Sequence, residues 1–109
     1  MEQTTLNPPD FWIGSIPVHG RLILAPMDGI SDPPFRMITR RLGSALSISE
    51  FINTLDYASQ KHYQQNRLLF QPDERPFGVQ LLDNDPTRMA ECAAKIEEEL
   101  HPDFFDINL

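Results

Sequence analysis

Residues 77–109 read FGVQLLDNDPTRMAECAAKIEEELHPDFFDINL, and this stretch decides the fold. Phe77–Leu82 is a short apolar run bounded by turn-formers, the pattern of a buried strand. Asp85-Pro86 is a helix start, because the carboxylate can cap and proline suits the first turn, where its missing N–H costs nothing. Met89, Ala93, Ile96 and Leu100 then recur at spacings of four, three and four and mark one helix face. Cys92 lies beside that stripe as a small packed hydrophobe, and Glu97-Glu98-Glu99 is the solvated side. His101-Pro102-Asp103 breaks the helix, placing Asp103 in a loop, and Phe104–Leu109 is a further strand. Strand, helix, strand in this order argues for parallel βα units.

The same device repeats upstream. Leu22-Ile23-Leu24-Ala25 reads as a strand buried on both faces, and Pro26 ends it. Ser31 or Asp32 can cap a helix that starts at Pro33, carries Phe35, Ile38 and Leu42 as its apolar stripe, and stops at Gly43. Ala45–Ser49 is a strand ending at Glu50. Asn53 can cap a helix over roughly Thr54–Gln65. Phe11–Val18 and Arg21–Ala25 flank His19-Gly20, which predicts a β-hairpin turning there. Met1–Asp10, polar and with Pro8-Pro9, is a flexible lead-in to a domain spanning 11–109. Strand ends near Pro26, Glu50, Gln80 and Asn108 are 24, 30 and 28 residues apart. An eight-fold βα barrel repeats every ~31 residues. A doubly wound open sheet shows similar spacing, but its usual Gly-rich first turn is absent. The expected fold is therefore α/β, the N-terminal half of a TIM (β/α)8 barrel preceded by a β-hairpin and ending at strand four.

Composition narrows the function classes. No apolar run approaches the roughly 20 residues of a membrane-spanning helix, and the N-terminus has no basic or apolar leader pattern. One cysteine makes no disulfide scaffold, so a cytoplasmic protein is expected. The formal charge is −7. Residues 1–71 hold six acids and six bases, while 72–109 hold ten acids and three bases. Only Arg36, Arg40 and Arg41 cluster, as a solvated helix face would, which argues against a nucleic-acid surface on charge alone. His19, His62 and His101 fall in a turn, on a helix surface and at a helix end, with no spacing that suggests a metal site.

In a parallel barrel the carboxyl ends of the strands line the active site. Those positions hold Met27 and Asp28, Glu50, Gln80, and Asp106 with Asn108. Alternation puts Gln80 on the face opposite Phe77, Val79 and Leu81, and puts Asp106 and Asn108 together. The carboxamides of Gln80 and Asn108 offer both a donor and an acceptor, suited to the edge of a flat heterocycle. On the residues alone, the simpler reading of each is a satisfied member of a polar network at the strand ends. Glu50 can be an acid, a base or an arginine partner.

Four motifs, in order, resemble those of the tRNA-dihydrouridine synthases. They are Leu24-Ala25-Pro26-Met27-Asp28-Gly29-Ile30-Ser31-Asp32-Pro33-Pro34-Phe35-Arg36, Ser49-Glu50-Phe51, Val79-Gln80-Leu81 with Asp85-Pro86, and Asp106-Ile107-Asn108-Leu109. The resemblance covers about Ile13 to Leu109. It implies an FMN-dependent oxidoreductase that uses NADPH to reduce the C5–C6 bond of uridines in tRNA. On the matching positions, Pro26, Met27 and Asp28 would meet the flavin, largely through backbone. Gln80 would hydrogen-bond its pyrimidine edge, and Asn108 would sit near the flavin and the target base. The family's fourth signature continues into Gly-Cys-Pro, whose cysteine is the proton donor and lies beyond Leu109. The 109 residues are thus expected to be a fragment, inactive alone, with the basic tRNA surface elsewhere on the full protein. Two rivals fit the same residues: another FMN barrel oxidoreductase acting on a small molecule, and a non-catalytic truncated half-barrel.

Overall fold

A computed structural model describes residues 7–59 and 62–109. Its first elements are two short antiparallel strands, β1 (Phe11–Ile13) and β2 (Ile16–Val18), paired Phe11 to Val18. The chain therefore reverses at Gly14-Ser15, and the expected hairpin about His19-Gly20 does not form. Gly20 instead donates its N–H to Asp10 Oδ2 at 2.7 Å, and Asp10 N–H donates to Val18. That ties down the end of the segment read as a flexible lead-in; Met1–Leu6 lie outside the described residues.

The run Leu22–Ala25 is also corrected. It makes no strand: Leu22 O accepts from Ala45 N–H, but Leu24 N–H donates to the Ser44 hydroxyl, so a side chain replaces the next backbone acceptor and the ladder stops. Leu22 and Ile23 are 78% and 42% exposed, where burial on both faces was predicted.

Helix α1 (Pro33–Arg41) starts on Asp32, whose Oδ1 accepts from Phe35 N–H at 3.1 Å, and the chain turns away at Gly43. Its buried side is not the expected one. Ile38 and Leu42 are exposed, while Arg36 is 1% exposed, contrary to its reading as part of a solvated basic face. Two short strands follow, β3 (Ser47–Ile48) and β4 (Ile52–Asn53). Asn53 caps α2 (Thr54–Ala58) as predicted, through Oδ1 to the N–H groups of Leu55 and Asp56. The helix expected to run to Gln65 instead ends at Ala58, with Ser59 as its C-cap directing its N–H and its hydroxyl to Leu55 O. A separate α3 (His62–Arg67) follows; Gln60, Lys61 and the side chains of His62, Tyr63 and Gln64 lie outside the described residues. A 3-10 turn (Pro72–Glu74) leads into β5 (Phe77–Leu82), α4 (Pro86–Leu100) and β6 (Phe104–Asn108). These last three match the sequence reading closely.

Strand β5 is the centre of a parallel sheet, with β6 on one side and β3 then β4 on the other. Ile48 pairs with Gly78 and Ile52 with Leu81. Four steps on one strand thus face three on the other, which is a β-bulge at residues 49–51. Phe77, Val79 and Leu81 are fully buried and pack with Cys92 and Ile96 of α4, with Met89, Ala93 and Leu100 around them. Burying such side chains is worth about 1.5–3 kcal/mol each. The other face carries Gly78, Gln80, Phe104, Asp106 and Asn108. A Cβ on Gly78 would stand 2.1 Å from the Phe104 ring, so only glycine lets that ring lie across β5. Phe104 and Ile48 there meet Val18, Ala45 and Leu46, which seats the hairpin against the amino ends of the strands.

A buried ion pair locks the elements together. Arg36 Nε donates to Glu74 Oε1 at 3.0 Å, its other nitrogens donate to the carbonyls of Arg67 and Leu69, and it lies 5.1 Å above the Phe77 ring. Arg40 adds bonds to the carbonyls of Glu74, Arg75 and Ser44. Its guanidinium pKa is pulled down by burial. Asp103, placed in a loop by the sequence, is a structural acceptor: Oδ2 takes Phe77 N–H at 2.7 Å and pairs with Arg75 at 3.1 Å.

Glu74→Gln in the intact protein should therefore cost about 3–5 kcal/mol, because Arg36 would stay buried without its counter-charge. A denaturation midpoint equal to wild type would show the pair to be dispensable. Asp103→Ala should cost about 1–3 kcal/mol and exceed Asp85→Ala, which removes one cap at about 1 kcal/mol. Denaturant midpoints in the opposite order would contradict that ranking.

Candidate functional site

The carboxyl ends of β5 and β6 bring the predicted carboxamides together. Register pairs Gln80 with Asp106 and Leu82 with Asn108, and all four point away from α4's side of the sheet. Gln80 Nε2 donates to Asp106 Oδ2 at 2.7 Å, and Asn108 Nδ2 donates to Gln80 Oε1 at 3.3 Å. The three side chains are half-buried, so they are held by one another yet reachable from the sheet surface. An amide with both ends engaged is fixed in orientation, and its second N–H remains a donor.

The bulge beside β5 extends this network. Gln80 N–H donates to Ser49 Oγ, in place of a ladder carbonyl, at 3.1 Å. The next residue, Glu50, is buried and accepts Gly29 N–H on Oε1 at 2.5 Å. That bond carries the 27–31 loop to the strand ends. Within the loop, Ser31 Oγ accepts Met27 N–H at 2.8 Å, while Met27 O accepts from the N–H groups of Ile30 and Ser31. The Met27 peptide groups are thus engaged inside the loop. Pro26 and Met27 are half-buried, and the Asp28 carboxylate is 52% exposed and pairs with Arg67 Nη2 at 2.6 Å.

Two clefts flank these ends. One of about 580 Å³ lies behind the loop, lined by Gly29, Asp32, Pro34, Glu50, Asn66 and Arg67 among others. One of about 380 Å³ lies at the ends of β4 and β5, lined by Asn53, Leu82, Asp83, Asn84, Arg88 and Leu109. In the second, Arg88 grips Asp83 through two nitrogens at 2.5 and 2.6 Å, and the Thr54 hydroxyl donates to the same carboxylate. These partners hold the Asp83 carboxyl well below the usual carboxylate range. An acid so committed is a strut for α4's start, unsuited to proton transfer.

Cys92 is buried on α4 on the far side of the sheet from Gln80, and burial pushes its thiol up to about 11. It is a packed side chain, inert as a nucleophile. Among the described residues no three His, Cys, Asp or Glu side chains gather to hold a metal, and no helix is long and apolar enough to cross a membrane.

The sequence pointed to Gln80, Asp106, Asn108, Glu50 and the Pro26–Asp28 segment, and the structure gathers them through Ser49 and Gly29. The sequence did not point to Arg67, and it placed Ser31 and Ser49 within the family motifs without giving either a role. Ser31 was weighed as a helix cap; its hydroxyl instead serves the Met27 peptide group. Arg67 meets Asp28 across 39 positions, and nothing in local spacing marks that.

The dihydrouridine synthase family model matches residues 23–109. tRNA-dihydrouridine synthase B of Pseudomonas aeruginosa is 37% identical over 97 residues, covering 89% of this chain and 29% of that protein. The namesake in Pasteurella multocida is 36% identical over the same length, covering 89% and 29%. The probable tRNA-dihydrouridine synthase of Aquifex aeolicus is 34% identical over 89 residues, covering 82% and 28%. The chain thus spans less than a third of the relatives it matches. With the family model matching from residue 23 to residue 109, the chain belongs to the dihydrouridine synthase family.

Proposed function

We propose that these residues form the first strands of the FMN-binding (β/α)8 barrel of a tRNA-dihydrouridine synthase, acting in the cytoplasm. The observation that carries this reading is the Gln80–Asp106–Asn108 network at the carboxyl ends of parallel strands, beside a loop tethered through Ser49 and Glu50. The donor set fits the group. The pyrimidine edge of a flavin alternates donors and acceptors, and the two carboxamides offer both within one hydrogen-bonded set. Pro26 and the Met27 side chain offer apolar surface to a ring, since Met27's peptide groups are engaged in the loop.

FMN, when bound, supplies hydride chemistry toward C5–C6 of a uridine, with NADPH as the reductant. The protein's part is orientation and exclusion. Gln80 holds the ring edge, and Asp106 keeps the Gln80 amide from rotating. Asn108 stands one alternation further along β6, donating to Gln80 Oε1, and would sit near the flavin and the target base. The resemblance implies that the proton for the reduced carbon comes from the cysteine of the family's Gly-Cys-Pro signature; Cys92, buried on the far side of the sheet, is not placed to give it. The uridine leaves its stack to reach the strand ends, as base-modifying enzymes require. The resemblance implies that the basic tRNA surface lies elsewhere in the full protein, which the charge of −7 on these residues is compatible with.

Removing one polar partner of a buried ring costs about 1–3 kcal/mol. Gln80→Ala in the intact protein should accordingly weaken FMN retention about 5- to 150-fold. Glu50→Gln, which keeps an acceptor oxygen, should do less. Flavin occupancy after desalting checks this, and equal occupancy in wild type and Gln80→Ala would contradict the proposed site.

A further inference from the structure

Glu50 and Arg67 stand behind the loop that the proposed site turns toward its cofactor. Gly29 has φ +77°, the left-handed region that side chains avoid, and its N–H is directed at the buried Glu50 carboxylate, 2.5 Å away. Nothing crowds the Gly29 position itself, so glycine is needed there for its φ and not for space. Arg67 closes the other side. Its Nη2 meets Asp28 Oδ1 at 2.6 Å, its Nη1 donates to the Phe51 carbonyl at 2.8 Å, and its guanidinium lies 5.1 Å over the Phe51 ring. Its Nε stands 3.8 Å from Glu50 Oε2. One cation therefore lies against the carboxylates of Asp28 and Glu50, and is itself aimed by the bulge residue Phe51.

We propose that Glu50 and Arg67 are the positioning residues of the cofactor loop, Glu50 holding its backbone at Gly29 and Arg67 holding its side chain at Asp28. Neither touches the ring. They set the loop's height above the strand ends before the cofactor arrives, and a loop ordered in advance loses less entropy on binding. The charge-assisted bond from Gly29 N–H is stronger than a neutral one. Arg67 removes the repulsion that two neighbouring carboxylates would otherwise exert. The bulge gives the geometry: one extra residue at 49–51 lets Ser49 serve Gln80 while Glu50 serves Gly29. Lysine cannot replace Arg67, because a point charge on a flexible stem cannot meet Asp28, a carbonyl and a ring at once. The consequence for FMN rests on the cofactor reading above, whereas the clamp is a property of the loop itself.

The test measures two things on the intact protein: amide hydrogen exchange at Gly29, and the FMN dissociation constant by flavin fluorescence. In Glu50→Ala, Gly29 exchange should accelerate about tenfold or more and FMN should weaken by a similar factor. Glu50→Gln should restore most of both, and exchange across β5 and β6 should stay as in wild type. Arg67→Lys should weaken FMN without unfolding the sheet. Wild-type Gly29 exchange in Glu50→Ala would overturn the proposal, as would acceleration spread evenly over β5 and β6. If wild type holds no FMN, the cofactor reading fails, and the Gly29 exchange still decides the clamp.

Discussion

The buried Arg36–Glu74 pair is the constraint on which the remaining structure depends. A guanidinium taken out of water costs several kcal/mol unless its donors are met. Here they are met by one carboxylate and two carbonyls, all supplied by the stretch 67–74. The consequence is geometric. Helix α1 can sit in only one place relative to residues 67–74 if Arg36 is to be satisfied. Glu74 Oε2 also accepts Gln71 N–H, so the same carboxylate shapes the turn that feeds β5. Because Arg36 fixes α1, it also fixes where the 27–31 loop leaves Asp32. The loop's far contact, Arg67, lies at the end of α3, whose last carbonyl Arg36 itself holds.

From β5 outward, the site follows from register. Pairing with β6 on one side places Gln80 against Asp106 and Leu82 against Asn108, so alternation presents three polar side chains on one face. On the other side a one-residue bulge shifts the pairing, and the displaced residues serve the site instead of the ladder. Phe104 across Gly78 fills the same face at the amino ends, which leaves the polar group at the carboxyl ends only. Strand polarity therefore divides one face into an apolar base and a polar rim.

How much of this was legible in the sequence varied with the range of the interaction. β5, α4 and β6 were readable because alternation, a three-and-four spacing and the Asp85-Pro86 start are local and agree with one another. The polar face of β5 was readable for the same reason. Helix α1 was located correctly but turned the wrong way. Its apolar positions suggested the buried face, while burial of Arg36 was decided by Glu74, 38 positions on, which no periodicity reveals. Leu22–Ala25 failed as a strand for a related reason: an apolar run states a tendency, and the neighbouring Ser44 hydroxyl intercepted the bond that would have extended the ladder. The hairpin turn was misplaced because both Gly14 and Gly20 permit reversal, and the Asp10 side chain claimed Gly20 N–H. The family motifs located the loop and Glu50, but the Arg67 contact that joins Asp28 to Phe51 is long-range and was invisible.

The central claim is that the strand-end network serves FMN-dependent reduction of uridine in tRNA. The most direct measurement is the amount of dihydrouridine formed in unmodified tRNA by the intact protein, with NADPH, before and after its flavin is stripped and restored. The account predicts dihydrouridine with the flavin present, none after stripping, and recovery on adding FMN. A protein that holds stoichiometric FMN and oxidises NADPH against a small acceptor, yet leaves tRNA uridines unreduced, would contradict it.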